Sequence, residues 1–176
     1  MGAKLLHQRK RSKKSLSNEW WTPDQLFIFL CTVVRRFPKL DVCATNRNSK
    51  CIWYLDKKVD ATDPDTKFVI KKTKRVTVWC NPPNEHTQEM LFKNYWQWVE
   101  SNCKQTIMMI VPANVLSSQG FKINVRIPID FGEDVFYREI DGRPAFLDNG
   151  KKPDSSARNA YIFICWGMKE PKRWGI

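Results

Sequence analysis

Apolar residues follow two patterns along this chain: helical spacing in some segments and short continuous runs in others. Spacing of three and four residues predicts helices over 23–37, ended by Pro38, and over 88–102. Short runs that are mostly apolar predict strands because they are too short for buried helices and are bounded by turn residues. They cover 40–44, 52–55, 76–80, 106–111, 135–140 and 160–166, and two of them are continuously apolar.

The order of these segments predicts an α/β fold. Strands alternate with helices, and the continuously apolar strands favour a mostly parallel sheet that is covered on both faces. The last two strands form a hairpin-like pair, which predicts an antiparallel edge. Thr22 is predicted to cap the first helix, with Pro23 at its first helical position. Residues 56–75 are predicted to be a charged loop, and 114–120 a helical turn.

Length and composition favour a single globular domain. The chain has 176 residues, of which 42% are apolar and 12% aromatic, enough for one hydrophobic core. Residues 1–17 form a polar, basic segment, which we interpret as a flexible arm. The domain is therefore predicted to span 18–176.

The charge of the chain favours an anionic partner. The formal net charge is +12, and the six Lys and Arg residues of 1–14, where no acid occurs, account for half of it. The remainder of the chain is still basic, so nucleic acid is the first expectation and a membrane surface the second. No apolar run approaches the ~18 residues of a membrane span. The N-terminus lacks the apolar core of a signal peptide, so we expect a cytoplasmic protein.

The six cysteines and two histidines do not predict a zinc site. No CxxC pair occurs, and the cysteines fall mostly in apolar runs. We interpret them as reduced core residues of an intracellular protein.

The sequence Asn81-Pro82-Pro83-Asn84 follows a predicted strand and carries the first candidate chemistry. Pro82 has a carbonyl but no N–H, so its backbone is only an acceptor. The diproline would hold this carbonyl and the Asn81 side-chain oxygen in one direction, which suits a primary amine with two N–H bonds. A plain turn that ends the strand is an equally good interpretation.

The second candidate is the acid in the strand 40–44. Small residues follow Asp41, and they allow a ligand to approach the backbone, while the carboxylate could bind a cationic amino group. A turn cap by Asp41 explains the same residues. No GxGxxG motif supports a nucleotide site here.

Several short motifs follow one another along residues 18–167. They are WWTP at 20–23, LDVCA at 40–44, NSKC at 48–51 with Tyr54, Asp60, WCNPP at 79–83 and GRPAF at 142–146. Their order and spacing are more specific than any one of them, and together they resemble the phage-type DNA N-6-adenine methyltransferase family.

This resemblance implies a Rossmann-like sheet, S-adenosylmethionine as cofactor and transfer of its methyl group to the N6 amine of adenine in DNA. It implies catalytic roles for Asn81, Pro82, Pro83 and Asn84. It places Trp21, Thr22 and Pro23 along the cofactor pocket, Asp41 and Ala44 at the methionine end, and Asp60 near the adenine of the cofactor. A solvated loop acid is the alternative interpretation of Asp60.

Asn84 departs from the family, which has Tyr, Phe or Trp at this position to stack on the flipped base. Such stacking is worth ~1–3 kcal/mol per base. His86, Trp79 or Trp20 could supply another ring, or Asn84 could hold the base by hydrogen bonds. His86 could instead only begin the next helix.

The predicted partner is DNA, either a duplex with a flipped base or a single strand. Phosphate contacts are expected from Lys71, Lys72, Lys74 and Arg75, and they would give a salt-dependent affinity with little sequence preference. Two other functions stay open: a non-catalytic DNA-binding protein on a methyltransferase fold, and a methyltransferase for cytosine N4, RNA or protein. The sequence defines neither the recognition site nor the oligomeric state.

Overall fold

The structure is a computed structural model that describes residues 20–56, 58–70, 76–142, 144–148, 150–151, 160–172 and 174. Its strands are β1 (Trp20–Trp21), β2 (Leu40–Asp41), β3 (Trp53–Tyr54), β4 (Thr77–Cys80), β5 (Thr106–Pro112), β6 (Val135–Glu139), β7 (Leu147–Asp148) and β8 (Tyr161–Trp166). Its α-helices are α1 (Asp24–Val34), α2 (Thr87–Glu100), α3 (Gln119–Phe121) and α4 (Ile127–Asp130). None of the described helices combines the length and the apolar content needed to cross a membrane.

Six strands form one mixed sheet in the order β3-β2-β4-β5-β8-β6. The pairs β3–β2, β2–β4 and β4–β5 are parallel, whereas β8 runs antiparallel to both β5 and β6. The predicted α/β fold with a mostly parallel sheet is confirmed. The predicted pairing of the last two strands is confirmed too, with β8 as the reversed strand and β6 as the edge.

Two hydrophobic clusters cover the two faces of the sheet. Side chains alternate along β5, so that Ile107 and Met109 join the cluster under α2, whereas Met108 and Ile110 join the cluster under α1. The central strands are therefore apolar on both sides, which explains their continuous hydrophobic runs.

Helix α1 differs from its prediction at both ends. It begins at Asp24, with Pro23 at the N-cap position, and no side chain caps it. The predicted cap by Thr22 is therefore wrong, because the extended backbone of Pro23 moves the helix start one residue further on. The helix ends at Val34 and not at residue 37, since Arg35 adopts φ 53° in the left-handed region and closes the last turn.

Helical backbone continues well beyond the predicted turn at 114–120. A 3₁₀ segment (Ala113–Ser117) leads into α3, a π-helical turn (Lys122–Arg126) and α4. The indole N–H of Trp166 donates to the carbonyl of Asn124 at 2.9 Å. Insertion of a side-chain donor into the backbone ladder is a known cause of such irregular turns.

A small second sheet joins distant parts of the chain and was not predicted. Strand β1 pairs antiparallel with β7, so that Trp20 lies opposite Asp148 and Trp21 opposite Leu147. The sequence pattern did not predict this sheet, because its pairing joins two short segments that are far apart in the chain.

The cysteines are only partly core residues. All six are free thiols: Cys31, Cys80 and Cys165 are buried, Cys43 and Cys51 are half-buried, and Cys103 is exposed. The prediction of a core position is wrong for Cys103, which follows the end of α2 with φ 56°. Cys43 and Cys80 lie at the ends of neighbouring strands with their sulfurs 3.8 Å apart.

The turn after β8 requires glycine. Gly167 has φ +87°, and an added Cβ would lie 2.1 Å from the carbonyl oxygen of Gln105. We expect Gly167→Ala to lower the unfolding free energy in urea by about 3 kcal/mol. Gly132→Ala is the matched control, since Gly132 has φ +77° but no described atom within 4 Å of an added Cβ. It should cost only about 1 kcal/mol, and equal losses would rule out the overlap with Gln105.

Candidate active site

The proline motif lies where β4 reaches the edge of the sheet. Asn81 follows the last residue of β4, and the Pro82 side chain is buried. A 3₁₀ turn (Asn84–His86) comes next, in which the His86 N–H donates to the Pro83 carbonyl at 2.9 Å. Helix α2 then begins at Thr87. The motif is therefore held between a buried strand and a helix.

The side chain of Asn81 is fixed by one hydrogen bond to β1. Its Nδ2 donates to the carbonyl of Trp20 at 2.7 Å. A carbonyl can only accept, so the amide nitrogen must face Trp20, and Oδ1 remains as the acceptor. Sequence reasoning missed this contact, although the WWTP motif already marked the segment that supplies it.

Asp41 is a buried turn cap. The residue is 3% exposed, Oδ1 accepts from the Cys43 N–H at 3.3 Å, and Oδ2 accepts from the Lys50 N–H at 3.0 Å. Burial raises the pKa of Asp41 to about 6, although both hydrogen bonds and the Lys50 charge act in the opposite direction. These hydrogen bonds show that Asp41 caps the turn that leads to Ala44, and its predicted role towards a ligand stays a prediction.

A cleft of about 350 Å³ opens at the carboxyl ends of β2, β3 and β4. Ligands of open parallel sheets bind at this edge. Its walls combine apolar side chains with polar and acidic ones. The lining residues are Val42, Cys43, Ala44, Thr45, Asn48, Leu55, Asp56, Val59, Asp60, Ala61, Thr62, Pro83, Glu85, His86 and Met90.

Asp60 caps a turn in one wall of this cleft. Its Oδ1 accepts from the Thr62 N–H at 2.8 Å and from the Thr62 hydroxyl at 2.7 Å. These hydrogen bonds lower the pKa of Asp60, and the nearby His86 lowers it further. The residue is thus an exposed loop acid and also a lining residue, so its two interpretations are compatible.

The structure brings some predicted site residues together and leaves others apart. Ala44, Asp60, Pro83 and His86 line the cleft. Asp41 lies behind the wall, at the end of β2. Trp21, Thr22 and Pro23 are not among the described lining residues, but they follow Trp20, which holds Asn81.

Two buried polar atoms stand beside this anchor without a hydrogen-bond partner among the described residues. They are the indole nitrogen of Trp21 and the hydroxyl of Thr22. Burial of an unpaired polar group is costly, so each is suited to a ligand or an ordered water.

The candidate rings for base stacking differ in accessibility. Trp79 is 1% exposed and packs edge-to-face on Phe27 with ring centroids 5.0 Å apart, so it cannot stack on a base. Trp20 is half-buried, whereas Asn84 and His86 are both exposed on the 3₁₀ turn. The predicted phosphate contacts Lys71, Lys72, Lys74 and Arg75 lie outside the described residues.

The buried carboxyl of Asp41 should give a measurable pH dependence. Its pKa rises from 3.8 to about 6 on folding, so folding favours the protonated form, and the stability this contributes is lost as pH rises through 6. Relative to Asp41→Asn, wild-type unfolding free energy should therefore fall by on the order of 2 kcal/mol between about pH 4 and 7. Urea titrations at several pH values measure this, and parallel curves for the two proteins would contradict the raised pKa.

Comparisons with known proteins indicate the family. One solved structure that matches is a precorrin 8w decarboxylase from Methanobacterium thermoautotrophicum, with 14% identity and a TM-score of 0.38 over 86% of this chain and 98% of the other. A search of curated protein sequences found no significant match. A family model described as DNA N-6-adenine-methyltransferase (Dam) matches residues 9–174. This match spans nearly the whole chain, including the proline motif and the cleft, and the chain therefore belongs to the Dam family of DNA N-6-adenine methyltransferases.

Proposed function

We propose that this protein transfers a methyl group from S-adenosylmethionine to the N6 amine of adenine in DNA. The observation that carries the proposal is the anchoring of Asn81. Because Trp20 accepts from Nδ2 at 2.7 Å, the Oδ1 acceptor of Asn81 is held in place before any substrate arrives. Membership of the Dam family supports DNA as the substrate and methyl transfer as the reaction.

The cleft fits the proposed cofactor by its chemistry. S-adenosylmethionine combines a flat adenine ring and a ribose with a positively charged sulfonium and an amino acid end that carries an ammonium and a carboxylate. The lining combines apolar side chains such as Val42 and Met90 with the carboxylates of Asp56 and Asp60. In our proposal Ala44 and Asp60 contact the cofactor, Asp41 holds the loop that carries Ala44, and the unpaired Thr22 hydroxyl gains a partner on binding.

The proposed mechanism begins with the poor nucleophilicity of an exocyclic amine, whose lone pair is delocalised into the ring. When bound, S-adenosylmethionine supplies the electrophilic methyl group. Asn81 Oδ1 and the Pro82 carbonyl each accept a hydrogen bond from one N–H group of the amine, and these hydrogen bonds favour a pyramidal nitrogen. These hydrogen bonds strengthen as positive charge develops on the nitrogen, so they stabilise the transition state more than the ground state. The surplus proton then passes to water.

The target adenine has to leave the helical stack to reach Asn81. With Trp79 in the core and no ring at position 84, we propose that His86 provides the stacking face. His86 is exposed, lies two residues beyond Asn84 and lines the cleft beside Pro83. Lys71, Lys72, Lys74 and Arg75 are proposed to contact phosphates, because they precede the strand that leads to the motif.

The function is tested with labelled S-adenosylmethionine and unmodified DNA, followed by mass spectrometry of the nucleosides. We expect N6-methyladenine in wild type and a loss of about 10²–10³-fold in kcat for Asn81→Ala, since an acceptor aimed at developing charge is removed. Asn114→Ala, at an exposed asparagine, is the matched control and should keep full activity.

The other outcomes select other functions. N4-methylcytosine would indicate a different target base, and methylation of RNA or protein alone would exclude the DNA substrate. Binding of DNA without any product would indicate a non-catalytic protein. Normal turnover in Asn81→Ala would exclude the two-acceptor mechanism.

The stacking role of His86 has its own test. We expect His86→Ala to lower turnover about tenfold or more, because base stacking on a ring is worth ~1–3 kcal/mol. His86→Phe keeps an aromatic face and should retain most of the activity. The measurement is the initial rate at saturating cofactor with varied DNA. Unchanged turnover in His86→Ala would eliminate this residue as the stacking ring.

A further inference from the structure

A lysine with a buried side chain connects α2 to the wall of the cleft. Lys93 is 3% exposed. Its Nζ donates to the carbonyl oxygens of Asp63 and Pro64, the latter at 3.0 Å, and lies 5.8 Å from the centroid of the Phe68 ring. Burial lowers the pKa of Lys93, as expected for an ammonium taken from water.

The segment that Lys93 contacts is held by turn hydrogen bonds and by the burial of Ala61 and Phe68 in the core. Described residues 58–70 run from β3 towards β4 without belonging to a strand of the six-stranded sheet. Near its start, Asp60, Ala61 and Thr62 line the cleft. Strands are fixed by ladders of hydrogen bonds, so a segment outside the sheet needs side-chain contacts to keep one position.

Further contacts fix the other end of this segment. Gln97 Oε1 accepts from the Phe68 N–H at 2.9 Å, and Gln105 Nε2 donates to the Phe68 carbonyl at 2.6 Å. On the surface, Lys67 and Glu100 form an ion pair at 2.8 Å, which contributes little because solvent screens both charges. Lys93 contacts the carbonyls of Asp63 and Pro64, which directly follow the cleft-lining residues 60–62 in the chain.

Helix α2 also carries the proline motif at its N-terminal end. The chain passes from Asn81 through Pro83 and the 3₁₀ turn directly into α2 at Thr87. Lys93 lies two turns into the same helix. The acceptors for the amine and the anchor of the cleft wall thus belong to one continuous stretch of backbone.

We propose that Lys93 is a positioning residue for the cofactor cleft. Through the carbonyls of Asp63 and Pro64 it sets the distance of the wall at 60–62 from the proline motif. The identity of the cleft's ligand as S-adenosylmethionine rests on the proposed function above. A buried ammonium is tolerated only where hydrogen bonds satisfy it, and here two backbone carbonyls do so.

The test compares three variants. Lys93→Met keeps the length of the side chain but removes the donors, Lys93→Arg restores donors, and Lys67→Met is the matched control on the same segment, at a side chain that is 48% exposed. Hydrogen exchange of the amides in 58–66 reports the position of the wall without any ligand. Calorimetry with S-adenosylmethionine reports the affinity, and steady-state kinetics separates KM from kcat.

We expect the backbone amides of 58–66 to exchange their hydrogens faster in Lys93→Met than in wild type, while the amides in the middle of α2 stay protected. The variant's Kd and KM for S-adenosylmethionine should rise about tenfold, because the wall would be in the binding position in only about a tenth of the molecules, with kcat within about twofold at saturation. Lys93→Arg should recover part of the affinity, and Lys67→Met should match wild type.

Two results would overturn the proposal. Faster exchange in Lys93→Met with unchanged Kd for the folded fraction would make Lys93 purely structural. Wild type that binds no S-adenosylmethionine would remove the ligand from the cleft altogether. In contrast, wild type that binds the cofactor but methylates no DNA would overturn the proposed function only, because exchange and affinity still test Lys93.

Discussion

The hydrogen bond between the Asn81 amide and the Trp20 carbonyl is the contact on which the candidate site depends. It joins residues 61 positions apart in the chain and fixes which atom of Asn81 is available. It forms only because β1 lies beside the end of β4, and β1 is held there by pairing with β7. Phe146 directly precedes β7 in the chain. It is buried and packs on Tyr161 of β8 with ring centroids 4.3 Å apart. The acceptor in the site is thus supported through a small sheet to β8.

The two hydrophobic clusters give this arrangement its rigidity. Trp79 lies within the cluster under α1, while Val78 and Cys80 belong to the cluster under α2. The strand that ends in Asn81 is therefore packed on both faces, and its last residue cannot shift without opening one of them. Because a buried strand precedes Asn81 and two prolines follow it, the backbone here has little conformational freedom, and little conformational entropy would be lost on binding a substrate.

The carboxyl groups of Asp41 and Asp60 differ in burial, and their pKa values shift in opposite directions. Asp41 is buried and already committed to the backbone of Cys43 and Lys50, whereas Asp60 is exposed and has a lowered pKa. In our proposal the first acid shapes the loop and the second remains available to a cationic ligand at neutral pH. The 3₁₀ turn at Asn84–His86 is exposed, so a large substrate can reach this part of the site.

The sequence by itself determined the strands of the main sheet and the helices α1 and α2 that cover it, because hydrophobic periodicity depends on neighbours close in the chain. It also identified the proline motif, since the chemistry of a diproline is local. Only the tertiary structure decided the pairing of β1 with β7, the anchor of Asn81 and the burial of Lys93. A lysine in an amphipathic helix carries no sign that two carbonyls of a distant loop will surround it. Such contacts join residues far apart in the chain, and only the folded backbone determines which of them meet.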